Sequence, residues 1–168
     1  MKPKEKVADL KLDLINDTQW ELSKQSPDSF TLIVFYRGLH CPICKGQLES
    51  IANHLSAFSD RGVNVLAVSM DTEKRAKITG EKWDIKNLPV GYNLSEEKAR
   101  EFGLYISEAI KDEEPDRFSE PGMFLVKPDG TLYCSTVQTM PFARPQTEDL
   151  LKAIDFVKKE DYPARGEA

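Results

Sequence analysis

The sequence predicts an α/β fold, a parallel sheet with helical crossovers that is closed by two antiparallel strands. Residues 31–36 (TLIVFY) and 63–69 (VNVLAVS) are almost continuously apolar, as strands buried on both faces of a parallel sheet are. A helical pattern follows each of them, and strand, helix, strand, helix in succession implies right-handed crossovers. Residues 123–126 and 131–134 flank Pro128, Asp129 and Gly130, which reads as a hairpin with its turn residues in place.

The other elements follow from local pattern. Leu10, Leu12 and Leu14 alternate with polar residues, Asn16 and Asp17 offer a turn, and Trp20 and Leu22 resume the alternation, so the chain opens with a hairpin. Residues 23–29 (SKQSPDS) are loop by composition. Leu48, Ile51, Leu55 and Phe58 recur at steps of three and four, giving one helix that begins near Cys41 and stops at Gly62. Asp71 is placed to cap the next helix, which runs to about Trp83. Residues 88–93 (LPVGYN) form a short extended segment, and Ser95, Lys98 and Phe102 suit a short helix ended by Gly103. Residues 107–119 (SEAIKDEEPDRFS) are acidic and polar with a proline, and read as an exposed loop or irregular insertion. Leu150, Leu151, Ile154, Phe156 and Val157 mark an amphipathic last helix, with Glu148 and Asp149 in its favourable first turn.

A chain of 168 residues suits one domain spanning residues 1–168, and no internal repeat or low-complexity tract divides it. Its 40% hydrophobic and 30% charged residues are ordinary for a globular protein, and no apolar stretch is long enough to span a bilayer. A formal charge of −5, with Lys and Arg interspersed among acids, disfavours nucleic acid as a partner. The amino terminus carries Lys2, Lys4 and Lys6 but no apolar run of the length a secretory signal requires, so a cytoplasmic location is expected. Three cysteines are too few for a framework of two disulfides. A CxxC pair in such a chain points to chemistry.

That pair lies in FYRGLHCPICK, residues 35–45. With Cys41 in the first turn of a helix, its sulfur faces N–H groups that lack intrahelical partners and the positive end of the helix dipole. Both favour thiolate, and Arg37 and His40 are near enough in sequence to add positive charge. Such surroundings bring a cysteine pKa from ~8.5 down to roughly 3.5–7.5. Cys44 falls on the same helical face one turn later, at a separation compatible with a disulfide. Pro42 fits the helix start, where its missing N–H would have had no partner. The implied cycle is attack by Cys41 on a partner's sulfur, a mixed disulfide, and release of the reduced product by Cys44.

Two structural cysteines or a zinc site compete with this reading. Zinc needs four ligands, and beyond the pair the chain offers only Cys134, His40 and His54, with no second paired spacing. Redox chemistry without a metal or cofactor is therefore expected. His40 either tunes the thiolate or packs against the helix start, and His54 reads as a surface or half-buried residue. Cys134, at the end of a strand, reads as a small buried residue rather than a third redox partner. Residues 141–145 (PFARP) are apolar and basic, placed either to rim the site or to support a homodimer.

Taken together, a strand, FYRGLHCPICK, a helix, and a late proline before a hairpin resemble the thioredoxin-like superfamily, and more narrowly its alkyl hydroperoxide reductase/thiol-specific antioxidant group with the peroxiredoxin-like members. The resemblance runs from the opening hairpin to the last helix, and F-Y-R-G-x-x-C-P-x-C is its most specific part. It implies a three-layer thioredoxin-like fold, with a central mixed sheet, helices on both faces and an N-terminal β-hairpin. It further implies that Cys41 is the nucleophile, Cys44 the resolving thiol, and Pro121 the match to the thioredoxin cis-proline, whose preceding residue, here Glu120, faces an incoming substrate. A Glu120 carboxylate near Cys41 would oppose thiolate formation or accept a proton from Cys44, whereas a surface-facing Glu120 would do neither.

The chain departs from these relatives at three positions. Where a typical peroxiredoxin has Pro, Thr or Ser, and Arg around the peroxide, this sequence has Val34, Gly38 and Pro121. Arg37 offers a replacement guanidinium. Val34 also stands where thioredoxin has a buried acid. The leading expectation is a thiol–disulfide oxidoreductase cycling through Cys41 and Cys44. The alternatives are a peroxiredoxin-like antioxidant that uses the same thiols on hydroperoxides, and a non-catalytic redox-sensing module. The binding residues expected around the pair are Arg37, His40, Pro42, Glu120 and Pro121. A thioredoxin- or glutathione-like thiol reductant and a disulfide or peroxide substrate are the expected partners.

Overall fold

The computed structural model describes residues 1–168. The chain opens with β1 (Lys11–Asp13) and β2 (Gln19–Glu21), which pair antiparallel with Leu12 opposite Trp20, as the alternation predicts. The six residues of β3 (Phe30–Phe35) are all buried. Then come α1 (Pro42–Asn53), α2 (Leu55–Asp60), β4 (Val63–Val68), α3 (Glu73–Lys82), β5 (Val90–Gly91) and α4 (Glu96–Glu101). The chain ends with β6 (Ile106–Glu108), β7 (Arg117–Ser119), β8 (Gly122–Val126), β9 (Leu132–Val137) and α5 (Thr147–Glu160). The central sheet has the order β5-β4-β3-β8-β9, parallel between β3, β4 and β5 and antiparallel at β8 and β9. No helix is long and apolar enough to cross a membrane.

Alternation along β3 divides the core in two. Leu32, Val34 and Tyr36 face Leu48 and Ile51 of α1, Phe58 of α2, and Leu151 and Ile154 of α5. Ile33 and Phe35 face the opening hairpin, through Leu12, Leu14 and Trp20, and α4 with its flank, through Ala99, Phe102 and Leu104. The result is the expected thioredoxin-like arrangement of helices, mixed sheet, and hairpin with helix.

Several expectations change. The helix drawn from Cys41 to Gly62 is two helices, because the ring of His54 takes the Ser50 carbonyl at 2.7 Å and its amide takes the Ile51 carbonyl at 3.0 Å, interrupting the i to i−4 ladder. The cap of α3 is Thr72, whose hydroxyl accepts from Arg75 N–H, and Asp71 is left for another task. Residues 107–119 are not simply an exposed loop. Their ends form the β6–β7 ladder, which brings Phe118 and Ser119 to buried positions. Cys134 is exposed, because β9 is an edge strand whose pairing with β8 shifts register between Leu125 and Val126. Phe156 lies outside the core and packs its ring on Tyr162 at 5.5 Å.

The N-terminal end of α1 holds Cys41 as its cap and Cys44 in its first turn, and its C-terminal half anchors it to the core. Leu48 is 0% exposed there. Leu48→Ala should lower unfolding free energy by about 2–5 kcal/mol, read as a fall in urea midpoint at unchanged slope.

Candidate active site

Six residues, 36–41, link β3 to α1, and a carboxylate from the segment after β4 shapes them. The backbone amide of Leu39 donates to Asp71 Oδ2 at 2.8 Å, while Arg75 Nε donates to Oδ1 at 2.9 Å and holds the carboxylate in place. Gly38 lies at φ +136°, and a Cβ there would stand 2.8 Å from Asp71 Oδ1. The departure from Thr or Ser at this position therefore has a steric cause. The Gly38 carbonyl accepts the Cys41 amide at 3.1 Å, which closes the turn that delivers Cys41 to α1.

Cys41 is the N-cap of α1, with Pro42 at the first helical position. Its Sγ accepts the backbone N–H of Cys44 at 3.2 Å, so the sulfur takes one of the donors the helix leaves free. Cys41 and Cys44 are paired as a disulfide with Cα atoms 5.3 Å apart. Cys44 Sγ also accepts the backbone N–H of Arg37 at 3.4 Å.

A guanidinium from the far end of the chain reaches both sulfurs. Arg144 Nη2 lies 3.1 Å from Cys44 Sγ and 3.8 Å from Cys41 Sγ. Its Nη1 donates to Gln47 Oε1 and its Nε to the Pro141 carbonyl, each at 2.6 Å. Burial, with the charge of Arg37 acting the same way, pushes the Arg144 guanidinium down to about 10, so it remains charged at neutral pH. Residues 141–145 thus rim the site, one of the roles expected of them.

Behind this lies a second charged group. Arg37 Nε meets Glu120 Oε2 at 3.1 Å as an ion pair without an aligned hydrogen bond, and Ser107 Oγ donates to Oε1 at 2.7 Å. Glu120 is 4% exposed, which overturns the surface-facing alternative. It faces Arg37 and not solvent. Arg37 also lies over the Phe118 ring at 4.8 Å, and His40 packs on the same ring with centroids 4.7 Å apart. Neither nitrogen of His40 has a hydrogen-bond partner in the protein. Burial, followed by the charge of Arg37, holds the His40 pKa below its usual value, so His40 packs against the helix start as a neutral ring.

The peptide bond before Pro121 is trans, contrary to the cis match expected by resemblance. The chain stays extended from β7 into β8, with the Glu120 amide on the Tyr105 carbonyl at 2.8 Å and the Pro121 carbonyl on the Gln138 amide at 2.9 Å. Val34 is fully buried in β3. Arg37, His40, Cys41 and Pro42 line one cleft of about 560 Å³ with Lys111 and Phe142, while Cys44 lies beneath it, Glu120 behind Arg37, and Pro121 outside the lining. Cys41 is only 1% exposed at this cleft, whose rim carries the exposed side chains of Ile43 and Phe142. Sequence reasoning missed the contacts of Arg144, Gln47, Asp71 and Phe118. The sequence marks PFARP as a candidate rim without pointing to Arg144 within it, and gives Asp71 the role of a helix cap that Thr72 fills.

The pattern of the AhpC/TSA family matches residues 3–134. The chain belongs to that family. It is an oxidoreductase acting on disulfides or peroxides, as AhpC/TSA members reduce peroxides through thiols. A putative peroxiredoxin, ycf42, of Pyropia yezoensis is 25% identical over 156 residues, which cover 90% of this chain and 77% of that protein. Among solved structures, peroxidoxin BcpB from Mycobacterium tuberculosis aligns with a TM-score of 0.76 at 17% identity, over 94% of this chain and 98% of that one. The reduced 2-Cys peroxiredoxin of Plasmodium vivax aligns with a TM-score of 0.77 at 14% identity, over 96% and 100%. At these identities the likeness is one of fold.

Two outcomes follow from the geometry. Because His40 is buried neutral, the unfolded chain takes up its proton first as pH falls below the ordinary value of 6.5. The stability from neutral His40 is present above that pH and lost as pH drops toward the lowered folded value. Melting temperatures of the protein between pH 7.5 and 5 should therefore fall more than those of His40→Phe. Gly38→Ala should lower stability by about 1–3 kcal/mol in urea titrations, since it forces a side chain at positive φ onto the Asp71 carboxylate.

Proposed function

We propose that the protein reduces small hydroperoxides, with Cys41 as the attacking thiolate and Cys44 as the resolving thiol. The observation that carries this is the seat of Cys41, an N-cap sulfur beside a guanidinium and 1% exposed at the cleft floor. A small hydroperoxide fits the cleft above this sulfur, which Pro42, Phe142 and Lys111 line. The Cys41 thiolate attacks one peroxide oxygen and the O–O bond breaks. The other oxygen leaves as alkoxide and takes a proton to become the alcohol. Cys41 is then a sulfenic acid, and Cys44 attacks its sulfur, forming the S–S bond and releasing water. Arg144 supplies the positive charge that Pro121 lacks.

A dithiol protein of the thioredoxin kind regenerates the pair by exchange. Such recycling suits the cytoplasm, where thiols are kept reduced. Thiol–disulfide exchange on protein substrates is the second reading. It is favoured by the exposed apolar rim, with Ile43 37% and Phe142 55% exposed, which a docking protein could cover.

Stopped-flow mixing of the reduced protein with hydrogen peroxide and with cumene hydroperoxide should give rapid oxidation and, with a dithiol present, saturable turnover. Cys41→Ser should reduce turnover to background, and Cys44→Ser should stop after one oxidation with a dimedone-reactive sulfenic acid located at Cys41 by mass spectrometry. Faster reaction with oxidised glutathione or a protein disulfide than with either peroxide would assign the second reading. Slow reaction with every oxidant would leave a non-catalytic redox module.

A further inference from the structure

Arg144 is a half-buried cation without an anion. Its guanidinium forms none of the protein's salt bridges, and its three donor directions go to a carbonyl, an amide oxygen and the two sulfurs. A buried charge without a partner is costly. The groups on this charge that could become anionic are the sulfurs, and Nη2 is nearer the deeper one, 3.1 Å from Cys44 against 3.8 Å from Cys41.

Cys44 is fully buried, and burial alone would disfavour its thiolate. Its sulfur nonetheless collects two donors from outside its own helix, Arg144 Nη2 and the backbone N–H of Arg37 at 3.4 Å. We infer that these donors form a receiving site for the Cys44 thiolate, making Arg144 the catalytic residue of the reductive half of the cycle. This rests on the proposed function, in which the Cys41–Cys44 disulfide is regenerated by a dithiol, and on the cleft, which reaches Cys41 and leaves Cys44 beneath it, so that Cys41 is the sulfur attacked and Cys44 the one that leaves.

A thiolate of the dithiol reductant attacks Cys41 Sγ, and a mixed disulfide forms between them. The Cys41–Cys44 bond breaks, and its electron pair stays on Cys44 Sγ as a thiolate between Arg144 and the Arg37 N–H. The reductant's second thiol then attacks its own sulfur in the mixed disulfide, releasing Cys41 as a thiolate at the helix N-cap. The reductant leaves oxidised, and its second thiol proton passes to Cys44. Exchange is faster when the leaving thiol is more acidic, so a guanidinium on the leaving sulfur accelerates bond cleavage.

The charged and titratable groups around Cys44 are consistent with this role. Glu120 is the carboxylate that would oppose a second anion here, and Arg37 Nε and Ser107 Oγ already engage it. His40 is neutral and stacked on Phe118. Cys41 is covalently occupied during the step. The anion therefore falls to Arg144.

The test removes the competing thiols. In a Cys41→Ser, Cys134→Ser background, Cys44 is the remaining cysteine, and its thiolate is read by absorbance at 240 nm against pH. The midpoint should lie below the ordinary ~8.5. Adding Arg144→Gln should raise it by at least one unit, and Arg144→Lys should restore part of the difference. In the protein with all cysteines intact, Arg144→Gln should slow reduction of the Cys41–Cys44 disulfide by dithiothreitol roughly tenfold, in line with the dependence of exchange on leaving-thiol acidity. A midpoint at or above ~8.5 with Arg144 in place overturns the inference even if Arg144→Gln fails to fold. An identical midpoint in a folded Arg144→Gln variant overturns it as well. Neither measurement involves a peroxide, so failure of peroxide turnover would refute the hydroperoxide reading and leave this result standing.

Discussion

The sulfur of Cys41 caps α1, and the rest of the site depends on that position. A helix start needs an acceptor for its free amides, and here the acceptor is the sulfur we propose to react. Placing it there requires a tight turn after β3, which the Asp71 carboxylate holds from the segment after β4 through the Leu39 amide. That turn in its turn requires Gly38, because the carboxylate occupies the space of a side chain. Strand, turn, cap and helix are thus one mechanical unit, and a disturbance at Asp71 or Gly38 is transmitted to the sulfur.

Charge is arranged around this unit in two layers. The outer layer is closed, since Arg37 has Glu120 as counter-ion and Phe118 beneath its guanidinium, with Ser107 completing the carboxylate. The inner layer is open, since Arg144 has neutral oxygens and the two sulfurs as partners and no carboxylate. An open inner layer is useful to a thiol cycle. A disulfide carries no charge and a thiolate does, so reduction supplies the missing anion and oxidation removes it. The same cation that eases thiolate release also favours the reduced pair, and the couple becomes more oxidising than it would be without it.

Much of the fold was legible because its signals are local. The opening hairpin, β3, β4, α4 and the β8–β9 hairpin each rest on a pattern within a dozen residues, and so does the seat of Cys41 at a strand-to-helix junction. What was missed depends on distant partners. The β6–β7 ladder hides in a polar segment, because Phe118 is packed against Arg37 and His40, which lie far away in the sequence. Asp71 looked like a helix cap, the usual local use of an acid before a helix, but Thr72 one residue on supplies the cap and frees the carboxylate for a turn 32 residues earlier. Arg144 lies 100 residues beyond Cys44, a distance at which no periodicity speaks.

The source of the guanidinium explains why this chain can do without an arginine at Pro121. An arginine on a sheet strand is held by the ladder, whereas Arg144 sits in an irregular segment between β9 and α5 and needs other restraints. Its Nε ties back to Pro141 within the segment, its Nη1 ties to Gln47 on α1, and Pro145 limits the backbone on its other side. Ala143, just before it, is held at φ 58°, a left-handed conformation that costs an alanine about 1–2 kcal/mol. A residue held at such a φ persists only where its surroundings over-determine it, and here they converge on aiming one guanidinium at two sulfurs. With the cation delivered from the segment between β9 and α5, the strand position is free to be proline, and the peptide there stays trans and extended.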